Sequence, residues 1–213
     1  MTRTDYSCDF CTEGRSGQIN PEFAAAVGQT TRIVHRLASL YVVPTLSPIV
    51  KNHVLLIPMG HITSRLQLSE VERDSVAAAE SHLRMLLASP ARSIVTFEHG
   101  IGKGMRGGCG ISHFHIHMLP LKKHVAKKAL NLLSQSSLGE LADDVLELRP
   151  GDSYVYMRSD SDNTSTTLVR RGEFPSQFLR NLIEDAVGIT RTNWREIVRS
   201  ELLRETLMAP QWN

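Results

Sequence analysis

Three histidines alternate with apolar residues near the middle of the chain, where residues 113–119 read HFHIHML. Alternate residues of a β-strand lie on the same face. The spacing therefore predicts His113, His115 and His117 on one face, with Phe114 and Ile116 on the other. Imidazoles are costly to bury without partners, so this row indicates chemistry rather than packing.

Two kinds of chemistry fit the row. Three histidines can bind a catalytic zinc ion that keeps one position open for water. Alternatively, one imidazole attacks phosphorus while its neighbours hold the phosphate oxygens. The preceding segment favours attack on phosphorus, because residues 100–110 contain six glycines, whose backbone N–H groups can approach an anion closely. Lys103 and Arg106 add positive charge to this segment.

A second candidate site is the C-x-x-C pair formed by Cys8 and Cys11. A disulfide scaffold normally uses more cysteines than the three in this chain, and usually an even number. Two cysteines this close in a reducing compartment indicate metal or redox chemistry.

The elements that must position these residues predict an α+β fold. Residues 8–58 are strand-rich in pattern, and residues 53–57 form a short apolar run typical of a buried strand. Ser69 and Glu72 have capping-box spacing before a helical pattern that ends at Pro90. Strands are predicted at residues 93–97 and 111–120. Strands around one long helix, without regular alternation, favour α+β over a doubly wound sheet.

The pattern changes beyond Pro120, so we predict a first domain at residues 1–121 and a C-terminal extension at residues 122–213. The extension is predicted to contain a helix at 123–138 and a hairpin with strands at 153–157 and 166–169. Two further helices are predicted at 175–187 and 193–208. We expect this extension to cover the active site or a dimer seam.

Composition limits the partners. Lys and Arg total 24 and Asp and Glu total 22, which gives a formal net charge of +2. This balance predicts no bulk electrostatic binding to a nucleic acid polymer or an anionic membrane. No apolar run approaches the roughly 20 residues that span a bilayer, and residues 1–6 do not resemble a signal peptide. We therefore expect a cytoplasmic protein.

Three sequence blocks together resemble the histidine triad (HIT) superfamily. The histidine row with its glycine-rich approach resembles the family signature. Residues 53–62, which read HVLLIPMGHI, resemble the family's strand with two histidines around a proline. Residues 8–11, which read CDFC, resemble the N-terminal pair of zinc-bearing bacterial members. The resemblance covers roughly residues 5–121. The segments FEHG at 97–100 and GCG at 108–110 also resemble a bacterial subgroup similar to diadenosine-polyphosphate hydrolases.

The resemblance implies an antiparallel sheet with one long helix, a homodimer, and transfer or hydrolysis of a nucleoside monophosphate group. It implies His115 as the nucleophile and His117 as a catalytic group that holds the phosphate oxygens. Further implied or candidate contacts to the nucleotide phosphate are His53, Glu98, His99, Lys103, Arg106, Gly108 and Gly110. The implied ligands of a structural zinc ion are Cys8, Cys11, His61 and His113.

Two departures from the family pattern leave alternatives open. Many members have a serine or threonine at the position of Gly110, and an asparagine where Glu98 or His99 stands here. A hydrolase is the first hypothesis, and a phosphorylase or nucleotidyltransferase is the second. Because Gly110 lacks a hydroxyl group, a non-catalytic nucleotide-binding regulatory protein is a third. A zinc hydrolase that uses His113, His115 and His117 as ligands is a fourth.

Overall fold

A computed structural model describes residue 5 and residues 7–102, 111–161 and 164–212. These residues form one eight-stranded sheet in which every neighbouring pair is antiparallel. The strands in chain order are β1 (His35–Leu37), β2 (Leu40–Pro44), β3 (Val54–Pro58), β4 (Arg92–Gly100), β5 (Ile116–Lys122), β6 (Glu140–Ala142), β7 (Tyr154–Ser161) and β8 (Thr164–Arg171). Their order in the sheet is β1-β2-β3-β5-β4-β7-β8-β6.

The α-helices pack around this sheet. They are α1 (Asp9–Ser16), α2 (Pro21–Val27), α3 (Glu70–Leu87), α4 (Lys123–Ser134), α5 (Phe178–Val187) and α6 (Ser200–Leu207). The longest is α3, at 18 residues. The predicted α+β class, with an antiparallel sheet, one long helix and a mixed helical and hairpin extension, is confirmed.

The C-terminal extension continues the sheet of the preceding part of the chain. β7 pairs with β4 from Ile94 opposite Asp160 to Gly100 opposite Tyr154. The strands β1 and β6, of three residues each, come last at the two ends of the sheet, and β6 covers only residues 169–171 of β8. The extension thus covers the long outer edge of β4 within the same chain.

The two faces of the sheet bury separate apolar clusters. Phe114, Ile116 and Met118 pack with Val76 and Leu83 of α3, so the apolar row predicted from the alternation fills this core. On the other face, residues of β4 and β5 pack against α4 and α5. The histidine row therefore lies on the face that carries the C-terminal helices.

The helix α3 begins as predicted. The side chain of Ser69 accepts a hydrogen bond from the Glu72 backbone N–H, and the Glu72 carboxylate accepts one from the Ser69 N–H. This reciprocal pair satisfies two backbone donors that the first helical turn leaves without intrahelical partners.

Replacing Ser69 with alanine is expected to lower the free energy of unfolding by about 1 kcal/mol, because the cap is lost. Chemical denaturation monitored by circular dichroism measures this change. Ser75→Ala is the matched control: the Ser75 hydroxyl only donates back to the Val71 carbonyl within the helix, so its removal should cost almost nothing. Equal losses in the two variants would contradict the capping interpretation.

The prediction of a strand-rich segment at 8–58 was wrong for its first part, because α1 and α2 lie there. The sequence contains signals for both ends of α2. Asn20 caps the helix by accepting from the Glu22 N–H, Pro21 occupies the first turn, and Gly28 ends the helix at φ 76°. Helix α1 is eight residues long and depends on tertiary contacts. The Tyr41 hydroxyl donates to the Phe10 carbonyl, and Phe10 is buried.

Other boundaries also differ from the predictions. The strand predicted at 111–120 begins only at Ile116. Before it, the Phe114 N–H donates to the Ile62 carbonyl, and the His113 carbonyl accepts a hydrogen bond from Nδ1 of His115. The hairpin strands extend to Ser161 and Thr164, into the predicted loop. Helices α4 and α5 are shorter than predicted, and only Ser200–Leu207 of the last predicted helix is helical.

Candidate active site and metal centre

A cleft of about 840 Å³, including its open mouth, lies on the sheet face opposite α3. His115 and His117 line its floor, and Phe97 and His99 of β4 lie beside them. One wall comes from the N-terminal segment. Another comes from the C-terminal extension. The lining residues outside the strands include Asp9, Phe10, Glu13, Ile19, Asn20, Phe23, Arg32, Gln177, Phe178, Leu179, Arg180 and Trp194.

The orientation of His115 fixes the tautomer of its neutral ring. Its Nδ1 lies 2.6 Å from the backbone carbonyl oxygen of His113. A carbonyl oxygen only accepts, so Nδ1 must carry the proton and donate it. In the neutral imidazole, Nε2 then carries the lone pair. The edge contact between Phe10 and His115, with ring centroids 5.3 Å apart, restrains the ring further.

A second chain of hydrogen bonds fixes His53 and His117. The Ile49 N–H donates to His53 Nδ1 over 3.2 Å, so in the neutral ring the proton of His53 must be on Nε2. This Nε2 lies 2.9 Å from His117 Nδ1. His117 therefore accepts at Nδ1, and its own proton is on Nε2. One backbone N–H thus determines the tautomers of two histidines.

Burial keeps this pair neutral. Removal from water lowers the pKa of His53 and of His117 well below the ordinary value, and for His117 the neighbouring His115 lowers it further. The His117 ring also stacks on Phe97, with centroids 4.2 Å apart and planes 7° apart. The result is a rigid N–H donor beside the imidazole lone pair of His115.

A Cys2His2 cluster that includes His113 lies close to His115. The ligand atoms of Cys8, Cys11, His61 and His113 all lie within 4.8 Å of one another. Cys8 Sγ and His113 Nδ1 are 3.4 Å apart, and Cys11 Sγ and His61 Nδ1 are also 3.4 Å apart. The structure thus brings together the four residues that the resemblance implied as metal ligands.

The surroundings of His113 suit metal binding. Its Nε2 lies 2.9 Å from the Pro58 carbonyl oxygen, so Nε2 carries the proton and Nδ1 presents its lone pair to the two thiols. Burial lowers the pKa of His113 to about 4, which keeps the ring neutral. Two thiols and two imidazoles form the closed donor set of a structural site.

This geometry gives the three histidines of the row different surroundings. His113 turns towards Cys8 and Cys11. His115 and His117 face the cleft instead, and the Nδ1 atom of each is engaged, by the His113 carbonyl and by His53. A zinc site built from this row would require the three rings to converge on one point, and they do not.

The remaining predicted phosphate contacts divide into three groups. His99 lines the cleft, and burial together with the neighbouring His115 lowers its pKa to about 4. Glu98 does not lie there: its carboxylate is fully buried on the α3 face, where it accepts hydrogen bonds from Arg65 and Tyr154. The other predicted contacts lie outside the described residues, and they are Lys103, Arg106, Gly108 and Gly110.

The prediction that Glu98 contacts the phosphate was wrong, because it overlooked that adjacent residues of a strand face opposite sides. His99 and Phe97 share the face of the cleft, so Glu98 must point away from it. There it bonds to Arg65, which also bonds to Glu80 of α3. This buried ion pair ties the α3 face to the Tyr154 strand and is structural.

Sequence reasoning missed most of the wall that the extension contributes. Gln177, Phe178, Leu179 and Arg180 line the cleft at the start of α5, and Trp194 lies nearby with its ring 6.0 Å from that of Phe23. Residues of the extension thus line the candidate cleft, while the expectation that the extension covers an active site or a dimer seam stays a prediction. The individual residues carried no local signal, since α5 reads as an ordinary amphipathic helix.

The fold and the site define an α+β protein with His115 and His117 in a cleft and a Cys2His2 cluster close by. The chain belongs to the family described as proteins similar to the CwfJ C-terminus, whose model matches residues 2–134. It is 23% identical over 214 residues to CWF19-like protein 1 of Xenopus laevis. That alignment covers 94% of this chain and 36% of the relative, so the chain spans about a third of that protein's length.

Similar solved structures include histidine triad proteins. One from Clostridium difficile is 19% identical and covers 56% of this chain and 94% of its own, with a TM-score of 0.39. A histidine triad nucleotide-binding protein from Sulfolobus tokodaii is 15% identical over 84% of this chain and 91% of its own, with a TM-score of 0.36. Yeast Ap4A phosphorylase in complex with AMP is 11% identical over 64% and 56%, with a TM-score of 0.37.

No α-helix in the part of the chain that the structure describes has the length and apolar character needed to cross a membrane.

Proposed function

We propose that this protein cleaves a phosphoramidate or phosphoanhydride bond of a nucleoside phosphate through a nucleotidyl-His115 intermediate. The observation that carries the proposal is the hydrogen bond from His115 Nδ1 to the His113 carbonyl. In the neutral ring this bond places the lone pair on Nε2 at the floor of a cleft, which is the tautomer that a nucleophile needs.

The proposed steps use groups already in position. His115 Nε2 attacks the α-phosphorus, the bond to the leaving group breaks, and a nucleotidyl-imidazole forms. An acceptor then attacks the same phosphorus and releases His115. The Nε2–H of His117 donates to a non-bridging phosphoryl oxygen and stabilises the charge that develops there in both steps. Water as the acceptor makes the protein a hydrolase.

A panel of nucleotides tests this proposal. Adenosine phosphoramidates, dinucleoside polyphosphates and nucleotide sugars would be incubated with the protein in oxygen-18 water, with and without added inorganic phosphate. Release of a monophosphate carrying oxygen-18 supports a hydrolase, whereas a nucleoside diphosphate formed only with added phosphate supports a phosphorylase. Tight binding without any release from the whole panel would favour the non-catalytic regulatory protein, for which the missing hydroxyl at Gly110 is the argument.

Replacing His117 with alanine is expected to lower kcat by about a hundredfold, because one donor to the phosphoryl oxygens is lost from the transition state. Steady-state kinetics on the best substrate of the panel measures this loss. His124→Ala is the control, since His124 is an exposed residue of α4. A rise in KM at constant kcat would instead assign His117 to ground-state binding.

We propose zinc as the metal of the Cys2His2 cluster. Two thiolates and two imidazoles in a tetrahedral arrangement are typical of structural zinc, which would join the start of α1 to the loop that carries His113. The metal takes no part in the proposed steps.

The homodimer, the cytoplasmic location and the domain boundary at residue 121 stay predictions. The homodimer comes from the resemblance, and the location from composition. Analytical ultracentrifugation tests the oligomeric state.

A further inference from the structure

The segment between β2 and His53 is held from outside by the C-terminal extension. The guanidinium of Arg180 in α5 donates to the Ser47 carbonyl oxygen over 2.5 Å and to its hydroxyl over 3.3 Å. Arg199, just before α6, donates to the Pro48 carbonyl oxygen over 3.1 Å. Two consecutive peptides are therefore clamped by two arginines of the extension.

A third contact holds the other end of the same segment. The Asn52 N–H donates to the Thr206 hydroxyl over 2.9 Å. Asn52 adopts a left-handed conformation with φ 64°, which is unfavourable for most residues and needs support from the surroundings. The next residue in the chain is His53.

The two arginines are themselves fixed through one carboxylate. Glu184 is fully buried and accepts from Arg180 over 3.2 Å and from Arg199 over 3.0 Å. Thr192 donates to it through both its N–H and its hydroxyl. Arg180 and Glu184 are shielded from solvent, so this arrangement is rigid and poorly screened.

The clamped segment contains the group that sets the tautomers of the histidine pair. Ile49 follows directly after Ser47 and Pro48, and its N–H donates to His53 Nδ1. His53 then donates to His117 Nδ1. The direction of the Ile49 N–H depends on the peptides that Arg180 and Arg199 hold, so the contacts form one continuous chain from the extension to the cleft.

We propose that Arg180, Arg199 and Thr206 are positioning residues, which hold residues 47–52 so that Ile49 fixes the His53–His117 pair in a single tautomeric state. The consequence for catalysis rests on the proposed function. The consequence for the tautomers does not. The extension therefore has a specific task beyond forming a wall of the cleft.

The test uses the full chain labelled with nitrogen-15 at histidine. Long-range proton–nitrogen spectra distinguish rings protonated at Nδ1 from rings protonated at Nε2, and His53→Gln and His117→Gln assign the signals. In the parent protein we expect His53 and His117 each to carry one proton, on Nε2. In the double variant Arg180→Met with Arg199→Met, we expect mixed tautomers for both rings, and kcat lower by about tenfold or more.

Arg170→Met is the matched control. Arg170 is another buried arginine of the extension, with three hydrogen bonds to the carbonyls of Ser134, Leu138 and Gly139. Its loss should lower the melting temperature but leave the histidine tautomers and kcat unchanged. Unchanged tautomers in the double variant, with a kcat no lower than in Arg170→Met, would overturn the proposal.

Thr206→Val keeps the test decisive if the double variant does not fold. It removes only the hydroxyl that holds Asn52, and a shift of the His53 signals towards mixed tautomers is expected. A variant with parent-like tautomers and kcat would count against the clamp. Should the parent turn over no nucleotide at all, the proposed function fails, and the spectra still decide whether the extension sets the tautomers.

Discussion

Replacing His115 with alanine is expected to lower kcat by at least about 10⁴-fold, because removal of a covalent nucleophile eliminates the main reaction path. Nucleotide affinity should change little, since the walls of the cleft, His117 and His99 remain in place. Single-turnover kinetics measures the rate. Calorimetric titration with a non-hydrolysable nucleotide measures the affinity.

Trapping of the intermediate makes this test specific. Quenching of the parent protein with base during turnover of a substrate labelled in the nucleotidyl group should leave label on the peptide that contains His115, because the P–N bond is stable in base and labile in acid. His124→Ala, at an exposed position of α4, should behave as the parent does. Turnover by His115→Ala near the parent rate, with no histidine labelled, would remove the nucleophile assignment.

Replacing Cys11 with serine is expected to reduce bound zinc from about one per chain to near zero and to lower the free energy of unfolding by on the order of 3 kcal/mol or more. Cys11 is 2% exposed and lies near both His61 and His113, so its loss opens the donor set. Elemental analysis after purification without chelators, together with denaturant unfolding, measures the two effects.

Loss of the metal should also lower turnover. His113 presents its ring to the cysteines, while its backbone carbonyl accepts a hydrogen bond from Nδ1–H of His115. Disorder of this residue therefore loosens the nucleophile. His61→Ala should weaken metal binding in the same direction, whereas His82→Ala, which alters a half-buried histidine stacked on His35, should not. A parent protein that holds far less than one zinc per chain would contradict the metal assignment.

Some helices could be predicted from residues that lie close together in the sequence. Helix α3 was predicted from Ser69 and Glu72 because a capping box satisfies its own backbone donors within four residues. The start of α2 carried an equally local signal in Asn20 and Pro21, which sequence reasoning passed over. Helix α1 was different, since its contacts with Tyr41 depend on a strand about 30 residues away.

The sequence by itself determined the alternation of imidazole and apolar side chains around His115. Residue type also marked Cys8 and Cys11 as a candidate metal or redox site, whereas the set of four possible ligands came from the family resemblance. The α+β class followed from the periodicity of the elements, which any packing must respect. These properties are carried by residues close in the chain, or by the chemistry of single side chains.

Only the tertiary structure decided where each histidine of the row points. The strand pattern put His113, His115 and His117 on one face, but contacts with distant segments turn His113 to the cysteines and His117 to His53. The same holds for Arg180, which reaches Ser47 from the far end of the chain. The tautomer of a histidine depends on the one donor or acceptor that meets its other nitrogen, and folding alone brings that group into place.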